Sequence, residues 1–369
     1  MGSEMCIRDR LRIWPVVLNL FILGCSLQQQ ADRAERVWLN ASLLDAALHE
    51  VKLDKSGALP SEVDLEQENS KWFLTATGAS THLLGKLQSS ELRELSGLAP
   101  VLGERNKYWA INDSGNKPEL FAINRSGTHL ASIDLSVRNR DWEDLSSYSY
   151  NGENFIALAE TGDNLKIHSV SSIYIFRQPD FNNLPSQLKP VRRIDFSYED
   201  GSKNVESMAV SVAEGRIYLI AKDRSEPGVY ALPLAVVHDE NRDPKGKLTA
   251  AKVGQLAELH AHQDDVWWER RLAGRILYEA TAADISADDR TAVVANYRHV
   301  YLFKRHGEES WASALARKPQ ILSSHRMQQS EAVAFSANSD EVIVSSEGVN
   351  APLLAVRPSF NSATASVLQ

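Results

Sequence analysis

Cysteine is nearly absent from the 369 residues of this chain, and the only two are Cys6 and Cys25. Because no cysteine follows Cys25, the rest of the protein has no internal disulfide bond, no thiolate metal site and no cysteine nucleophile. The Gly-x-Ser-x-Gly, Gly-x-x-x-x-Gly-Lys, His-Glu-x-x-His and Gly-x-Gly-x-x-Gly motifs are missing as well. These absences argue against a serine hydrolase, a P-loop nucleotide hydrolase, a zinc protease and a dinucleotide-binding enzyme.

An excess of positive charge is also lacking. The chain has 40 basic and 48 acidic residues and a formal net charge of −8, which argues against a nucleic-acid partner. Its 43% hydrophobic and 24% charged residues are ordinary for a soluble globular protein. Beyond the N-terminal segment, no run approaches the roughly 18 apolar residues of a membrane span. We therefore expect a packed globular fold without an interior membrane span.

The N-terminal segment has the pattern of a secretory signal. Arg8, Arg10 and Arg12 accompany the apolar run LRIWPVVLNLFILG at 11–24, which is too short for a stable membrane anchor. The first ten residues, MGSEMCIRDR, resemble translated adapter sequence from an assembly. Because they include Arg8 and Arg10, the prediction of a signal depends on Arg12 and the apolar run. An uncleaved anchor and an ordinary signal followed by a chance cysteine are the alternatives.

The end of this segment, ILGC at 22–25, resembles the bacterial lipobox. That resemblance implies a signal peptide over 1–24, a lipid on Cys25 and a tether with an N-terminal extension over 25–81. Acyl chains anchor stably because each buried CH₂ contributes about 0.8 kcal/mol. Ser26 is similar to a sorting signal for the outer membrane. We therefore expect an outer-membrane lipoprotein of the bacterial cell envelope, facing the periplasm or the cell surface.

A short phrase recurs in the following part of the chain: an acidic residue, three residues, an apolar residue and a small one. Its copies begin at Glu94, Asp141, Glu206 and Glu331, and a fifth copy begins at Thr281 instead of an acid. A turn and a β-rich run follow each copy. These second strands are predicted as YWAIN (108–112), FIALA (155–159), RIYLIA (216–221), TAVVAN (291–296) and EVIVSS (341–346).

A third and a fourth strand follow most copies. The third strands are predicted at 119–124, 172–177, 228–234, 299–305 and 352–358, and the fourth at 129–135, 191–196, 252–259 and 318–324. The copies begin 47, 65, 75 and 50 residues apart, close to the ~40–50 residues of a propeller blade plus insertions. The last copy lacks a fourth strand, and HLLGKLQ at 82–88 is available to complete it.

The pattern predicts an all-β fold, a β-propeller of five four-stranded blades over 82–358, with a C-terminal tail at 359–369. An N-terminal strand closes the ring, so no open sheet edge remains. A sixth, degenerate blade within 36–80 or around 235–278 is one alternative. A β-sandwich with coincidental spacing is the other.

Polar residues are concentrated where the first strands of the blades begin and where the second strands end, positions that face the same end of a propeller channel. We call this end the mouth. The acidic candidates for a metal site are Glu94, Asp113, Asp141, Glu160, Asp163, Glu206 and Glu331. The candidates for contact with a substrate or partner are Asn112, Asn116, Asn164, Lys222, Arg298 and Glu347.

Crowded carboxylates either retain protons or recruit a cation. Carboxylate and amide oxygens suit Ca²⁺ or Mg²⁺, so a Ca²⁺ site at the mouth is the functional interpretation. The alternative is architectural, because NDSGN and ETGDN are ordinary turn sequences and carboxylates on first strands can cap backbone amides of a neighbouring blade.

Two other features have a functional and a structural interpretation. His260 and His262 with Asp264 and Asp265 offer transition-metal ligands, whereas the same residues also suit the start of a helix. Trp109 and the tryptophan of the DWED sequence at 141–144 are expected to be core anchors rather than ligand platforms.

Taken in order, ELSGLA at 94–99, WAINDSGN at 109–116, DWED at 141–144, TGDN at 161–164, TAADIS at 281–286 and SEG at 346–348 resemble a largely uncharacterised family of bacterial secreted and lipoprotein β-propellers. That family is loosely related to TolB-like, phytase-like and gluconolactonase-type propellers. The resemblance covers about 82–358 and implies a fold more than a reaction. Phytase and lactonase relatives use a ring of acidic residues, and Thr281 departs from that pattern.

Two classes of function remain open at this point. The first is a monomeric, lipid-anchored binding or assembly module, whose partners are the membrane and a periplasmic protein. It is preferred because the sequence contains no recognisable catalytic dyad. The second is a divalent-cation-dependent hydrolase of phosphoesters, lactones or other esters, for which no catalytic residue is assigned.

Overall fold

Short strands joined by turns and loops form the part of the chain that the computed structural model describes, namely residues 79–223, 226–239, 241, 247–259 and 277–358. All of them belong to the unit Leu53–Gln369. The predicted signal peptide, Cys25 and the motif with His260 and His262 lie outside the described residues. In the described part of the chain, no helix combines the length and apolar character needed to cross a bilayer.

The described strands form four hydrogen-bonded sheets, two of four strands, one of eight and one of five. The eight-stranded sheet consists of two halves, sheets 2 and 3, so that the strands are grouped as sheets 1 to 5. Sheet 5 includes the earliest strand, β1 (Ala79–Lys86). Sheet 1 consists of β2 (Leu95–Pro100), β3 (Lys107–Asn112), β4 (Glu119–Asn124) and β5 (His129–Leu135). Sheet 2 consists of β6 (Trp142–Tyr150), β7 (Glu153–Glu160), β8 (Ser171–Arg177) and β10 (Arg192–Tyr198), while the short β9 (Gln187–Leu188) pairs with the edge of sheet 1.

The second half of the chain repeats this arrangement. Sheet 3 consists of β11 (Val205–Ser211), β12 (Arg216–Ala221), β13 (Gly228–Pro233) and β14 (Leu248–Gln255). Sheet 4 consists of β15 (Ala282–Ile285), β16 (Thr291–Ala295), β17 (His299–Lys304) and β18 (Gln320–Ser324). Sheet 5 is built from β19 (Ala332–Phe335), β20 (Val342–Ser345) and β21 (Pro352–Pro358) together with β1. Two short helices have described bounds, α1 (Leu234–Val237) and α2 (Trp311–Leu315).

The five sheets are arranged as a β-propeller. Their first strands lie side by side in the order β2, β6, β11, β15, β19 and back to β2. The predicted closure is confirmed, because β1 pairs antiparallel with β21 over Ala79–Lys86 and Pro358–Pro352. At the periphery, β10 and β14 pair in parallel at Phe196–Tyr198 and Leu248–Ala250, which links sheets 2 and 3.

Burial follows this geometry. Every residue of β2 and of β11 is buried, as expected for a strand covered on both faces, whereas β5 at a sheet edge alternates and buries only Ile133 and Leu135. A hydrophobic cluster fills each of the five spaces between neighbouring sheets. Trp109 and Trp142 both have 0% exposure in the cluster between sheets 1 and 2, so they are core anchors as predicted.

The structural repeat differs from the sequence phrase in sheet 3. A β-bulge interrupts β2, β6 and β11 at corresponding places, at Ser96, Glu143 and Glu206. Glu206 therefore corresponds to Glu143. The sequence phrase aligns Glu206 with Asp141 instead. Asn204 takes the position of Asp141, since its carbonyl oxygen accepts a hydrogen bond from Lys222 N at 2.9 Å.

One predicted strand is misplaced. The fourth strand of sheet 3 was expected at 252–259, but β14 spans Leu248–Gln255. Ala250 is fully buried there and lies in the parallel ladder with β10. Pairing with β10 of the neighbouring sheet determines where β14 begins. Such pairing between sheets has no local pattern in the sequence.

Candidate functional site

Three carboxylates meet at the mouth. Asp113 follows β3, Asp141 precedes β6 and Glu143 occupies the bulge of β6, and one oxygen of each lies within 4.8 Å of the others. Two of them, Asp113 and Asp141, were predicted from the sequence. Glu143 was missed because it does not stand at the start of the repeated phrase; it lies two residues after Asp141, at the β-bulge between Trp142 and Asp144.

Backbone hydrogen bonds fix the positions of these groups. Asp113 N donates to Glu94 O at 2.8 Å, and Gly162 N donates to Asp141 O at 3.3 Å. The side-chain amide of Asn139 donates to Asp113 O at 2.7 Å. These bonds attach the end of β3 and the start of β6 to each other and to the loop after β7.

Gly162 is required by the closeness of the carboxylates. A Cβ atom at this position would lie 2.1 Å from Glu143 Oε1 and 2.5 Å from Asp141 Oδ2. Any larger residue would therefore have to displace one of the two acidic side chains. The glycine of the TGDN sequence serves the acidic group as well as a turn.

Burial and mutual repulsion favour the protonated forms of all three acids. Burial, with help from Asp141, Glu347 and Glu206, raises the pKa of Asp113 to about 7. Burial also raises the pKa of Asp141 above its usual range. The pKa of Glu143 is raised well above its usual range by burial and by Glu206. Three acids in this state either hold protons or bind a cation.

A second group of charges lies beside the first. Lys222 Nζ is 2.5 Å from Glu206 Oε2 and donates to Tyr297 Oη at 2.8 Å. Tyr297 Oη donates in turn to Glu331 Oε1 at 2.9 Å. Glu331 and Glu347 hydrogen-bond to each other.

The pKa values in this second group follow from burial and pairing. Burial alone would lower the pKa of Lys222, but Glu206, Tyr297 and Glu331 outweigh it and raise the pKa well above its usual range. Burial and Glu347 raise the pKa of Glu331 well above its usual range. The lysine therefore stays charged, and Glu331 is held as the proton donor toward Glu347.

The fourth sheet contributes a tyrosine instead of an acid. Thr281 Oγ1 donates to Ser330 O at 2.7 Å and so serves as a backbone link. Tyr297, which follows β16, reaches the group instead. The acidic ring is thus incomplete at Thr281, as the sequence indicated.

Several predicted residues have structural partners. Exposed Glu94 accepts a hydrogen bond from the side chain of Asn116, and Asn112 Oδ1 accepts one from Glu94 N at 3.0 Å. Asn164 Oδ1 accepts one from Asn204 Nδ2 at 3.2 Å. Arg298 is buried and donates to Tyr297 O at 2.9 Å.

Five of the seven predicted metal ligands do not join the three carboxylates. Glu94, Glu206 and Glu331 have the partners given above, and Glu160 and Asp163 are held within their own sheet and loop. Glu160 accepts from Tyr174 Oη at 3.0 Å and from Arg140 N at 3.2 Å, so it serves its own sheet. Asp163 accepts from Ile167 N at 2.9 Å and from His168 N at 2.7 Å, which closes the loop after β7. For these two, the architectural alternative fits the structure better than metal ligation.

Two further acids lie on the inner strands with 0–5% exposure and link neighbouring strands. Asp144 Oδ2 on β6 accepts from Met208 N of β11 at 2.8 Å and from Ala283 N of β15 at 3.3 Å. Asp284 Oδ2 on β15 accepts from Phe335 N of β19 at 2.9 Å. These carboxylates cap backbone amides across the channel, the structural role that the sequence allowed.

Comparisons with known proteins found similarity among solved structures only. No family model and no curated protein matches the sequence. Among solved structures, a gluconolactonase from Xanthomonas campestris is 10% identical with a TM-score of 0.39, and the match covers 78% of this chain and 94% of that one. A luciferin-regenerating enzyme is 11% identical with a TM-score of 0.40, covering 76% of this chain and 95% of that one.

Proposed function

We propose that the mouth binds a divalent cation, Ca²⁺ in the first place, and that the protein is a cation-dependent hydrolase of esters, lactones or phosphoesters. The observation that carries this proposal is the meeting of Asp113, Asp141 and Glu143 within 4.8 Å. Hard carboxylate oxygens are the ligands that Ca²⁺ and Mg²⁺ prefer. A cation also relieves the repulsion that otherwise keeps protons on these acids.

The surroundings of the three carboxylates fit hydrolysis. A divalent cation at such a site polarises a carbonyl or phosphoryl oxygen and acidifies bound water. The chain itself supplies a fixed positive charge on Lys222 and a hydroxyl on Tyr297, 2.8 Å from each other. Groups with displaced pKa values gather at functional sites more often than elsewhere. At the mouth, these groups include Asp113, Asp141, Glu143, Lys222 and Glu331.

The proposal is tested with metal-stripped protein. Millimolar Ca²⁺, Mg²⁺ or Mn²⁺ should raise its melting temperature, and the loaded protein should hydrolyse at least one of a panel of nitrophenyl esters, aliphatic lactones and nitrophenyl phosphate. Asp113→Asn should abolish both effects. Asp134→Asn, at an exposed position of β5, is the matched control and should retain them. No thermal shift with any of the three cations would overturn the proposal.

A binding module is the second candidate, and exposed apolar residues at the mouth favour it. Ile167 is 66% exposed and Val349 is 61% exposed. They lie in the loops after β7 and β20, at the end of the propeller that carries Asp113. A monomeric chain that binds a periplasmic protein there would keep its affinity in Asp113→Asn and lose it in a double Ile167→Ser and Val349→Ser variant. A hydrolase would show the opposite pattern.

We also propose that the chain is anchored to the outer membrane through a lipid on Cys25, as its sequence pattern indicates. Metabolic labelling with an alkyne-bearing fatty acid in a bacterial host should modify the wild-type chain, and Cys25→Ser should remain unlabelled and leave the membrane fraction. Labelling of both proteins to the same extent would contradict the anchor.

A further inference from the structure

The two halves of the mouth differ in how their negative charge is balanced. Asp113, Asp141 and Glu143 form the first half, where the proposed cation binds. In the second half the buried ammonium of Lys222 lies against a carboxylate and a tyrosine hydroxyl. Lysine is rarely buried unless its charge is paired, so this arrangement requires an explanation.

The surroundings of Lys222 Nζ are those of a bound cation. Glu206 Oε2 is 2.5 Å away and Tyr297 Oη is 2.8 Å away. Tyr297 Oη also donates to Glu331, which hydrogen-bonds to Glu347. The oxygens of Glu206 and Tyr297 are thus both directed at one positive charge.

Asn204 connects the two halves, because its side chain accepts from Asp163 N, next to Gly162, at 2.8 Å and donates to Glu206 Oε1 at 3.0 Å. Glu206 raises the pKa values of Asp113, Asp141 and Glu143, and Lys222 acts on both Glu331 and Glu347. A divalent ion in the first half and the ammonium in the second would therefore lie within one group of neighbouring acidic residues. A second divalent ion in place of Nζ would find oxygen ligands already oriented.

We propose that Lys222 is a built-in counter-cation that limits the mouth to a single divalent ion. Its ammonium occupies the position where a second ion would bind, and its charge repels such an ion. The proposal rests on the proposed function, because it needs the first half to bind a cation. It places the chemistry in the one-metal class, in which a fixed lysine charge replaces the second metal of two-metal hydrolytic sites.

Binding stoichiometry tests the proposal without any substrate. Isothermal titration of the metal-stripped full chain with CaCl₂ should give one ion per chain. Lys222→Met keeps an unbranched side chain but removes the charge, and it should bind two ions per chain. Lys222→Arg keeps the charge and should stay at one. Lys166→Met is the matched control, since its ammonium pairs with Asp223 at 3.4 Å on an exposed loop, and it should also stay at one.

The outcomes separate this inference from the proposed function. Two ions on the wild type, or one ion on Lys222→Met, would overturn the role of Lys222 and leave the hydrolase proposal intact. No ion on the wild type would overturn the proposed function. If Lys222→Met does not fold, Lys222→Gln provides a polar replacement with the same expected stoichiometry, and terbium luminescence counts ions on the wild type independently.

Discussion

Gly162 and Asp141 are in contact at the mouth, and a single methyl group on the glycine would come within 2.5 Å of Asp141 Oδ2. The loop after β7 therefore forms one wall of the three-carboxylate group. Gly162→Ala should lower the affinity for Ca²⁺ at least tenfold, because Asp141 or Glu143 must move away. Calorimetric titration measures this loss.

The control for Gly162→Ala is Gly254→Ala, at a glycine whose backbone conformation is also open to alanine. A Cβ at Gly254 would lie 3.4 Å from its nearest neighbour, Ala312 O, which is ordinary contact. Gly254→Ala should therefore bind Ca²⁺ as the wild type does. Equal Ca²⁺ affinities for both variants would mean that the three carboxylates of Asp113, Asp141 and Glu143 do not bind the ion.

Cation affinity should depend on pH through Asp113. Its pKa is raised to about 7, so below this pH an ion must displace a proton before it binds. We expect the affinity for Ca²⁺ to fall about tenfold for each pH unit below 7 and to level off above pH 8. Titrations at pH 6, 7 and 8 in buffers of different ionisation enthalpy would count the released protons. An affinity that does not change between pH 6 and 8 would contradict this.

The stability of the metal-free protein should decrease as the pH rises, because of Asp284. Burial raises its pKa from 3.8 to about 7, so the folded state binds this proton more tightly than the unfolded state. The contribution is complete below pH 4 and is lost as the pH rises through 7. Denaturant unfolding at pH 5 and pH 8 measures the difference in free energy.

Asp284→Asn tests the same residue at constant pH. An asparagine amide would face Phe335 N or Ile285 N, both of which now donate to the carboxylate at 2.9 Å. The unpaired buried amide should cost about 1–3 kcal/mol of the free energy of unfolding at pH 7, and the pH dependence should become shallower. Asp134→Asn on exposed β5 should change neither quantity.

Glu341 should be a major contributor to closure between sheets 5 and 1. Its carboxylate is 5% exposed and accepts two hydrogen bonds from Arg125, at 2.5 and 2.8 Å. Glu341→Gln should lower the free energy of unfolding by about 1–3 kcal/mol, because a paired charge is lost in a buried place. Glu153→Gln breaks the exposed pair with Arg177 and should cost at most about 1 kcal/mol. Equal losses would show that burial at Glu341 does not matter.

The sequence was sufficient for the fold because blade strands alternate with turns at regular intervals. The strands β4, β5, β12 and β21 have the predicted bounds, and the closing strand was predicted from the missing fourth strand of the last copy. Contacts between sheets, such as the β10–β14 ladder that moves β14, have no such local pattern.

The sequence predicted where the site lies but not all of the residues that form it. Asp113 and Asp141 were identified because turns after second strands and starts of first strands meet at one end. Glu143 was missed because only the first acid of each repeated phrase was considered. Glu206 was aligned with Asp141, whereas the β-bulges show that it corresponds to Glu143. Glu160 and Asp163 lie at correct places along the chain, yet side-chain and backbone donors within their own loops engage them. A bulge and a hydrogen-bond partner are properties of the folded chain.

The pairing of β1 with β21 joins the earliest and the latest strands of the described chain. During synthesis, β1 leaves the ribosome first and has no partner until residue 358 has emerged. The strands of sheets 1 to 4 are complete before β21 is made, whereas sheet 5 gains its fourth strand only when β21 can pair with β1. Closure of the propeller therefore depends on two strands that lie far apart along the chain.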